Sequence, residues 1–557
     1  MGKMAKKLLA MGLSVSMLAG MVSGCGSSTT SSDPTKAPET KAPDATQGSE
    51  SEPTQAAEAG KYPDYTNGFS EKVTIQIPVY DRAFEGWNVT DNYYTQYIQK
   101  EFGDKYNVDV QFVAIGRTTE VTDYMQLLAA DKAPDIIFHY DMPQALAYYS
   151  EGAMQELDLE ELKNYAPTYY SNVGATVENY GKVDDKNYFF FGERPDAYNW
   201  VTLIRQDWID QVGKEMPTNL TELNELFAAW RDAGLGNGGG SLVQNNFTYS
   251  YVFRNWPVDE KERALYSDLS IADLTWDATK EFLKNMNYQY NNNLIDKEFY
   301  LNTDAASTEA DFVSGKSGVY SLYLSSNSTT ISSLLKNDAN AKVSILPLAA
   351  GTPEGKVPQS RAYWPFGMIM GINSNTSDEA RRAIWMYLEW MSQPDNLFFL
   401  QNGVEGENYT LDADGLVQKV ADFSGESMLS QNNNKDYWCL VVESAQYENE
   451  ELNKKANILN WAPAGYEYLI EDAYTDYQAN LQYATTDALF TSVIESVAEN
   501  KATLNDLWKE LYVECVMASE DKFEETYNSA CERYLDSGYQ QILDEKQKAI
   551  DAGAYTY

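Results

Sequence analysis

Histidine is nearly absent from this 557-residue chain, which carries only His139. A His-ligated metal site or a Ser-His-Asp triad is therefore hard to assemble. Cysteine is also scarce: Cys25, Cys439, Cys515 and Cys531, with no C-x-x-C pair. Neither a zinc site nor a disulfide framework is expected from that pattern. Cys515 and Cys531 could pair across a helical hairpin or remain two buried thiols, and their spacing does not choose. Basic residues are in deficit, 42 Lys and Arg against 83 Asp and Glu, for a formal charge of −41. That balance argues against nucleic acid and against direct adhesion to anionic lipid, and otherwise serves solubility. No long apolar run follows the first 25 residues, and no internal repeat is visible. The body therefore reads as soluble, and an adhesin built from repeated modules is disfavoured.

What is present begins at the N-terminus. Lys3, Lys6 and Lys7 precede an apolar run, residues 8–22, that is short for a bilayer span and carries no acid. This is the profile of an export signal. Val22-Ser23-Gly24-Cys25 resembles the bacterial lipobox, with valine where leucine is usual. The resemblance implies removal of residues 1–24 and lipidation of Cys25, which places the chain at the extracellular face of the cell membrane. Residues 26–60 contain no aromatic residue, Leu, Ile or Val. Such a segment cannot bury enough apolar surface to offset its ordering entropy, so 25–61 is expected as a lipidated cysteine and disordered linker. As a flexible coil it would reach roughly 30 Å.

The body, 62–557, opens with strand-like alternation at Val73, Ile75, Ile77 and Val79. A helical stretch (NYYTQYIQKEFGDKY), a strand through Val108, Val110 and Phe112, and a helix carrying Val121, Tyr124, Met125 and Leu128 follow, with Thr118 as its N-cap. A third strand runs through residues 135–138. This order is the grammar of a parallel sheet with crossover helices. A second α/β region starts near Trp200, with a strand at 201–204 and a helix bearing Leu220, Leu223, Leu226, Phe227 and Trp230 up to Gly234. SGKSGVYSLYL and AKVSILPL read as further strands. Residues 376–379 (TSDE) read as a capping box opening a helix whose Trp385 and Trp390 are core. The last hundred residues are helical by period.

Several segments in order, APDIIF (133–138), RQDWIDQVGKEMPTNLTELNELFAAW (205–230), FVSGKSGVY (312–320), NGVEGENYTLDADG (402–415) and YLDSGYQQILDEKQKAIDA (534–552), resemble the family 1 extracellular solute-binding proteins. The match is to the lipoprotein branch that serves carbohydrate ABC importers of Gram-positive bacteria. The resemblance implies an α/β, two-lobed periplasmic-binding-protein-like fold of type II, each lobe a central sheet flanked by helices, with a largely helical C-terminal part. Lobe one would take about 71–192 and 355–405, and lobe two about 193–354 and 406–557. It further implies a monomeric, non-catalytic receptor without cofactor or metal. Such a receptor captures an extracellular carbohydrate, an oligosaccharide, by lobe closure and delivers it to ABC permease subunits. A receptor for a non-sugar solute and a surface glycan-degrading enzyme are the alternatives, the latter because 83 acids guarantee chance carboxylate pairs.

A sugar presents C–H faces and hydroxyls, so its binder wants aromatic plates beside bidentate polar groups. In open α/β lobes ligands sit beyond the carboxyl ends of strands. That rule selects Tyr80, Asp81, Arg82 and Trp87 after the first strand, Arg117 after the second, and His139, Tyr140 and Asp141 after the third. It adds Arg194 and Trp200 at the expected hinge, Tyr323, and then Tyr363, Trp364 and Phe366. The acidic loop implied by the resemblance contributes Glu405, with Glu407 behind it. Trp364, Asp81, Trp200 and Glu405 rank first. The LDADG at 411–415 lacks the downstream bidentate Glu of a calcium loop, so a tight hairpin turn is expected there.

Overall fold

The computed structural model describes residues 61–195, 200–236, 259–266, 271–301, 305–358, 360–420, 423–429, 434–445, 447 and 449–557. Cys25 and the linker lie outside the described residues. Strands and helices are numbered below in chain order as they are introduced.

In the first lobe, β1 (Val73–Asp81) pairs in parallel with β2 (Val108–Gly116), from Val73 opposite Val108 to Asp81 opposite Gly116. The alternation that marks β1 in the sequence is a burial pattern: Ile75, Ile77 and Val79 are at most 1% exposed. β3 (Ile136–His139) departs from the expected continuous parallel sheet. Among the described residues its backbone is bonded to β1 where Asp135 and Gln76 exchange hydrogen bonds, the Asp135 N–H to the Gln76 carbonyl and the Gln76 N–H to the Asp135 carboxylate. Pro78 lies two residues on and faces the same side with no N–H to offer, which ends the ladder. β3 instead pairs antiparallel with β8 (Phe366–Ile372), whose other edge takes β4 (Phe190–Glu193). β8 is buried at every residue, as a central strand with both faces covered should be.

The second lobe is built on β5 (Trp200–Arg205), flanked antiparallel by β6 (Val319–Tyr323) and β7 (Val343–Ile345). Alternation along β5 sends Leu203 into one core and Ile204 into another, on opposite faces of the sheet. Helix α2 (Leu220–Ala233) buries Leu223, Leu226, Phe227 and Trp230 and ends on Gly234 in the left-handed conformation, φ 69°. Helix α1 (Glu120–Ala129) of the first lobe starts one residue later than expected, on Thr119. In α3 (Asp378–Met391) the Ser377 side chain caps the first turn by accepting from the Ala380 N–H, and Trp385 and Trp390 are core. LDADG forms a hairpin turn between Tyr409–Leu411 and Val417–Lys419, with the Asp412 carboxylate accepting from the N–H groups of Asp414 and Leu416. Cys439, Cys515 and Cys531 are free thiols. Among the described residues no helix is long and apolar enough to cross a membrane.

Tyr62–Tyr557 forms one unit with its main cores in two lobes, and the chain passes between them more than once. One boundary differs from the sequence reading. Residues 406–557 were expected in lobe two, yet Tyr437–Val442 lie in the lobe-one core, and Leu489 joins them there. The later helices, including α4 (Glu495–Met517), pack in the second lobe.

Candidate functional site

The register of β5 and β6 places Trp200 opposite Tyr323, and their rings lie 3.8 Å apart. The Trp200 indole N–H donates to the Tyr363 hydroxyl at 2.6 Å, so the start of the central strand β5 is tied to the segment that leads into β8. Arg194, just past β4, lies 4.6 Å above the Tyr363 ring and 3.9 Å from the Glu443 carboxylate. Glu443 also meets Lys435 at 3.3 Å. Asp436, the next residue, accepts two hydrogen bonds from Arg82 at 2.7 and 2.8 Å. Arg82 stands 5.6 Å over Tyr80. Arg117 covers the same ring at 4.8 Å and Tyr140 at 5.5 Å. Ring, cation and carboxylate contacts, joined through the adjacent residues Lys435 and Asp436, therefore link the second sheet to the carboxyl ends of β1, β2 and β3.

The floor of this run is a buried carboxylate. Glu120, at the first position of α1, accepts from the Tyr80 hydroxyl at 2.5 Å and from Arg117 Nη1 at 3.1 Å. Burial pushes its pKa up to about 7, against the opposing pull of the Tyr80 hydrogen bond and of Arg117. His139 Nδ1 accepts the Asp141 N–H at 2.9 Å, which leaves the proton on Nε2, 3.7 Å from Glu120. Burial lowers its pKa to about 4, so the imidazole is neutral at pH 7.

Beside this network opens a pocket of about 570 Å³ between the first lobe and the C-terminal helices. Asp141 and Trp364 line it, with Val121 and Met125 from α1 and Lys501 from α4. Val121 and Met125 follow the helical spacing seen in the sequence, yet they are 40% and 43% exposed because their face of α1 looks into this pocket. Lys501 reaches across to Asp141 at 3.7 Å. Trp364 stacks on Phe366 at 5.7 Å and donates its indole N–H to the Asp487 carbonyl. A larger hollow of 790 Å³ on the outer side of the first lobe, beside Tyr62–Thr66, contains none of these groups.

The expected site residues thus divide. Arg82, Arg117, His139, Trp200 and Tyr323 fall in the contact run, and Asp141 and Trp364 in the adjoining pocket. Asp81 is exposed, and its carboxylate accepts from the Ala83 N–H to hold a turn with φ 55° at Ala83. Trp87 packs against the lobe-one core, 6.4 Å from Tyr94. Phe366 is 1% exposed within β8 and presents no surface to a solute. Glu405 is exposed on the turn before Tyr409, where its contact is a backbone bridge to Tyr409. Neither Asp81, Trp87, Phe366 nor Glu405 has a side-chain contact in the run. The sequence reading missed Glu120, Lys435, Asp436, Glu443 and Lys501. The composition of KDYWCLVVE (435–443), charged groups packed among aromatics, is the one local signal that could have marked three of them.

The model of a family described as bacterial extracellular solute-binding protein matches residues 98–398. Lipoprotein LipO of Bacillus subtilis is 23% identical over 437 residues, which cover 71% of this chain and 84% of the relative. The polygalacturonan/rhamnogalacturonan-binding protein YtcQ of the same species is 24% identical over 305 residues, 51% of this chain and 57% of the relative. Among solved structures the alginate-binding protein AlgQ2 superposes with a TM-score of 0.59 at 17% identity, over 88% of this chain and 100% of that one.

Proposed function

The chain belongs to the bacterial extracellular solute-binding protein family, and from that premise we propose that it is a surface receptor that captures an oligosaccharide for an ABC importer. Its fold is the two-lobed one of such proteins. The observation that carries the reading is the run from Tyr323 and Trp200, through Tyr363, Arg194 and Glu443, then the adjacent Lys435 and Asp436, to Arg82, Tyr80 and Arg117. It supplies aromatic faces and bidentate polar groups from both lobes, which is what a pyranose needs. The named ligands of YtcQ and AlgQ2, polygalacturonan/rhamnogalacturonan and alginate, support a polysaccharide-derived solute.

Capture works by population shift. A solute that touches Arg117 on one lobe and Trp200 or Tyr323 on the other gains its full contact set only when the lobes close, so binding favours the closed state. The closed receptor then docks on membrane permease subunits and no covalent step occurs. The lipid on Cys25 keeps the receptor near its permease, and the linker lets the cleft turn toward it. LipO, itself a lipoprotein, supports the anchored reading.

A thermal-shift screen of the chain against neutral and acidic glycans tests the ligand class, since a native-state ligand raises Tm. Small-angle scattering with the best hit tests closure. The expected result is a smaller radius of gyration on saturation, and unchanged dimensions would overturn the closure mechanism.

A further inference from the structure

One guanidinium in the site is both anchored and available. Arg82 spends Nε and Nη2 on Asp436, and Arg194, 4.6 Å from the Tyr363 ring centre and 3.9 Å from the Glu443 carboxylate, is only 21% exposed. Arg117 spends only Nη1, on Glu120, and its side chain is 40% exposed while that of Glu120 is 5% exposed. Its guanidinium carbon lies 4.8 Å from the Tyr80 ring centre and 5.5 Å from that of Tyr140, so the remaining N–H groups form a fork beside two aromatic rings. A fork of that kind matches a carboxylate bidentately. Resting on the receptor reading above, we propose that the solute is a carboxylate-bearing oligosaccharide, that Arg117 reads its carboxylate, and that Glu120 takes up a proton when the ligand replaces it on Arg117.

The groups around Glu120 explain the proton. Tyr80 faces it from β1 and Arg82 from just past that strand, Arg117 from the turn after β2, Tyr124 from its own helix, His139 from the end of β3 and Asp141 from just past it. Tyr148 faces it from the helix Met142–Ser150. Only two of these are cations, and Arg82 is already committed to Asp436. Asp141 opposes the Glu120 anion, and the His139 imidazole is neutral. Arg117 is therefore the cation that keeps part of the Glu120 population ionised at pH 7. A ligand carboxylate that pairs with Arg117 cancels that support, and the buried Glu120 carboxyl takes a proton from solvent. The exchange balances: one carboxylate leaves the guanidinium protonated and neutral as another arrives charged. The Tyr80 hydroxyl stays within reach of the neutral acid. Lys501, 3.7 Å from Asp141, adds a second cation nearby.

Calorimetric titration of the full chain decides the matter. The probes are trimers of galacturonate, glucuronate and mannuronate, their methyl esters, and neutral maltotriose, xylotriose and mannotriose, each at pH 7 in two buffers of different ionisation enthalpy. One acidic trimer is expected to bind on the order of 30-fold more tightly than its ester, with a buffer-dependent heat that reports proton uptake. Arg117→Met should lose that preference. Glu120→Gln, which carries no competing charge, should bind the acid more tightly at pH 8 and without the buffer-dependent heat. Binding of neutral trimers alone would overturn this inference and leave the receptor reading standing. Binding by none of the probes would overturn the sugar reading itself. An acid preference that survives Arg117→Met would overturn the role of Arg117, and one without proton uptake would overturn that of Glu120.

Discussion

Arg82 and Asp436, 354 residues apart in the chain, are joined by two hydrogen bonds of 2.7 and 2.8 Å. The Asp436 side chain is 2% exposed and that of Arg82 25%. Those hydrogen bonds hold the guanidinium charged well beyond its ordinary range. The pair fastens the end of β1 to the segment that carries Lys435 and Glu443, and so sets the geometry of the whole run.

Arg82→Met would strand a buried carboxylate and should cost about 3 kcal/mol of stability. Adding Asp436→Leu should recover most of it, because the charge needing compensation is then gone. Urea midpoints of the two single variants and the double variant measure the coupling. Strictly additive losses would show that the two residues act independently.

Glu120 and His139 pull stability in opposite directions with pH. Glu120 sits at about 7 in the folded chain against an ordinary 4.5, so between those values the folded state holds the extra proton and stability falls as pH rises. His139 sits at about 4 against 6.5, so the unfolded state holds the extra proton there and stability rises with pH. Glu120→Gln removes the falling limb. The variant should gain on the parent by on the order of 2 kcal/mol between pH 4.5 and pH 7.5. Denaturation at several pH values checks this, and a gain independent of pH would contradict it.

Gly367 has no room for a side chain. A methyl group there would overlap Glu443, the carboxylate between Arg194 and Lys435. Gly367→Ala should lower stability by about 2 kcal/mol and weaken solute binding, because Glu443 must move. Melting curves and titrations of the variant measure both. Unchanged affinity would remove Glu443 from the site.

Cys25→Ala should release the protein from the membrane fraction into the medium and impair uptake. The purified body should keep its solute affinity, since the cleft lies within 62–557. Fractionation of cells expressing the variant gives the answer, and a variant that stays membrane-bound would refute the lipid tether.

Much of the fold was legible locally. Alternation at Val73–Val79 and helical spacing at Leu223–Trp230 report the face a residue buries, and burial in the two lobes follows both. Positions at or just past the carboxyl ends of strands brought Arg82, Arg117, His139 and Tyr323 into one run, because those strand ends converge. The same rule misplaced Phe366 and Trp87. It counts residues along the chain and does not register that β8 is covered on both faces, or that Trp87 turns back onto the core.

The sequence by itself determined which residues form strands and helices, and which charged and aromatic groups stand at strand ends, since those depend on periodicity over a few residues. Only the tertiary structure decided that Arg82 meets Asp436, that Glu120 lies buried beneath Arg117, and that Val121 and Met125 face a pocket and not a core. Those outcomes depend on which distant segments close over a surface. The return of Tyr437–Val442 into the first lobe is set by packing across hundreds of residues, for which no local period carries a signal.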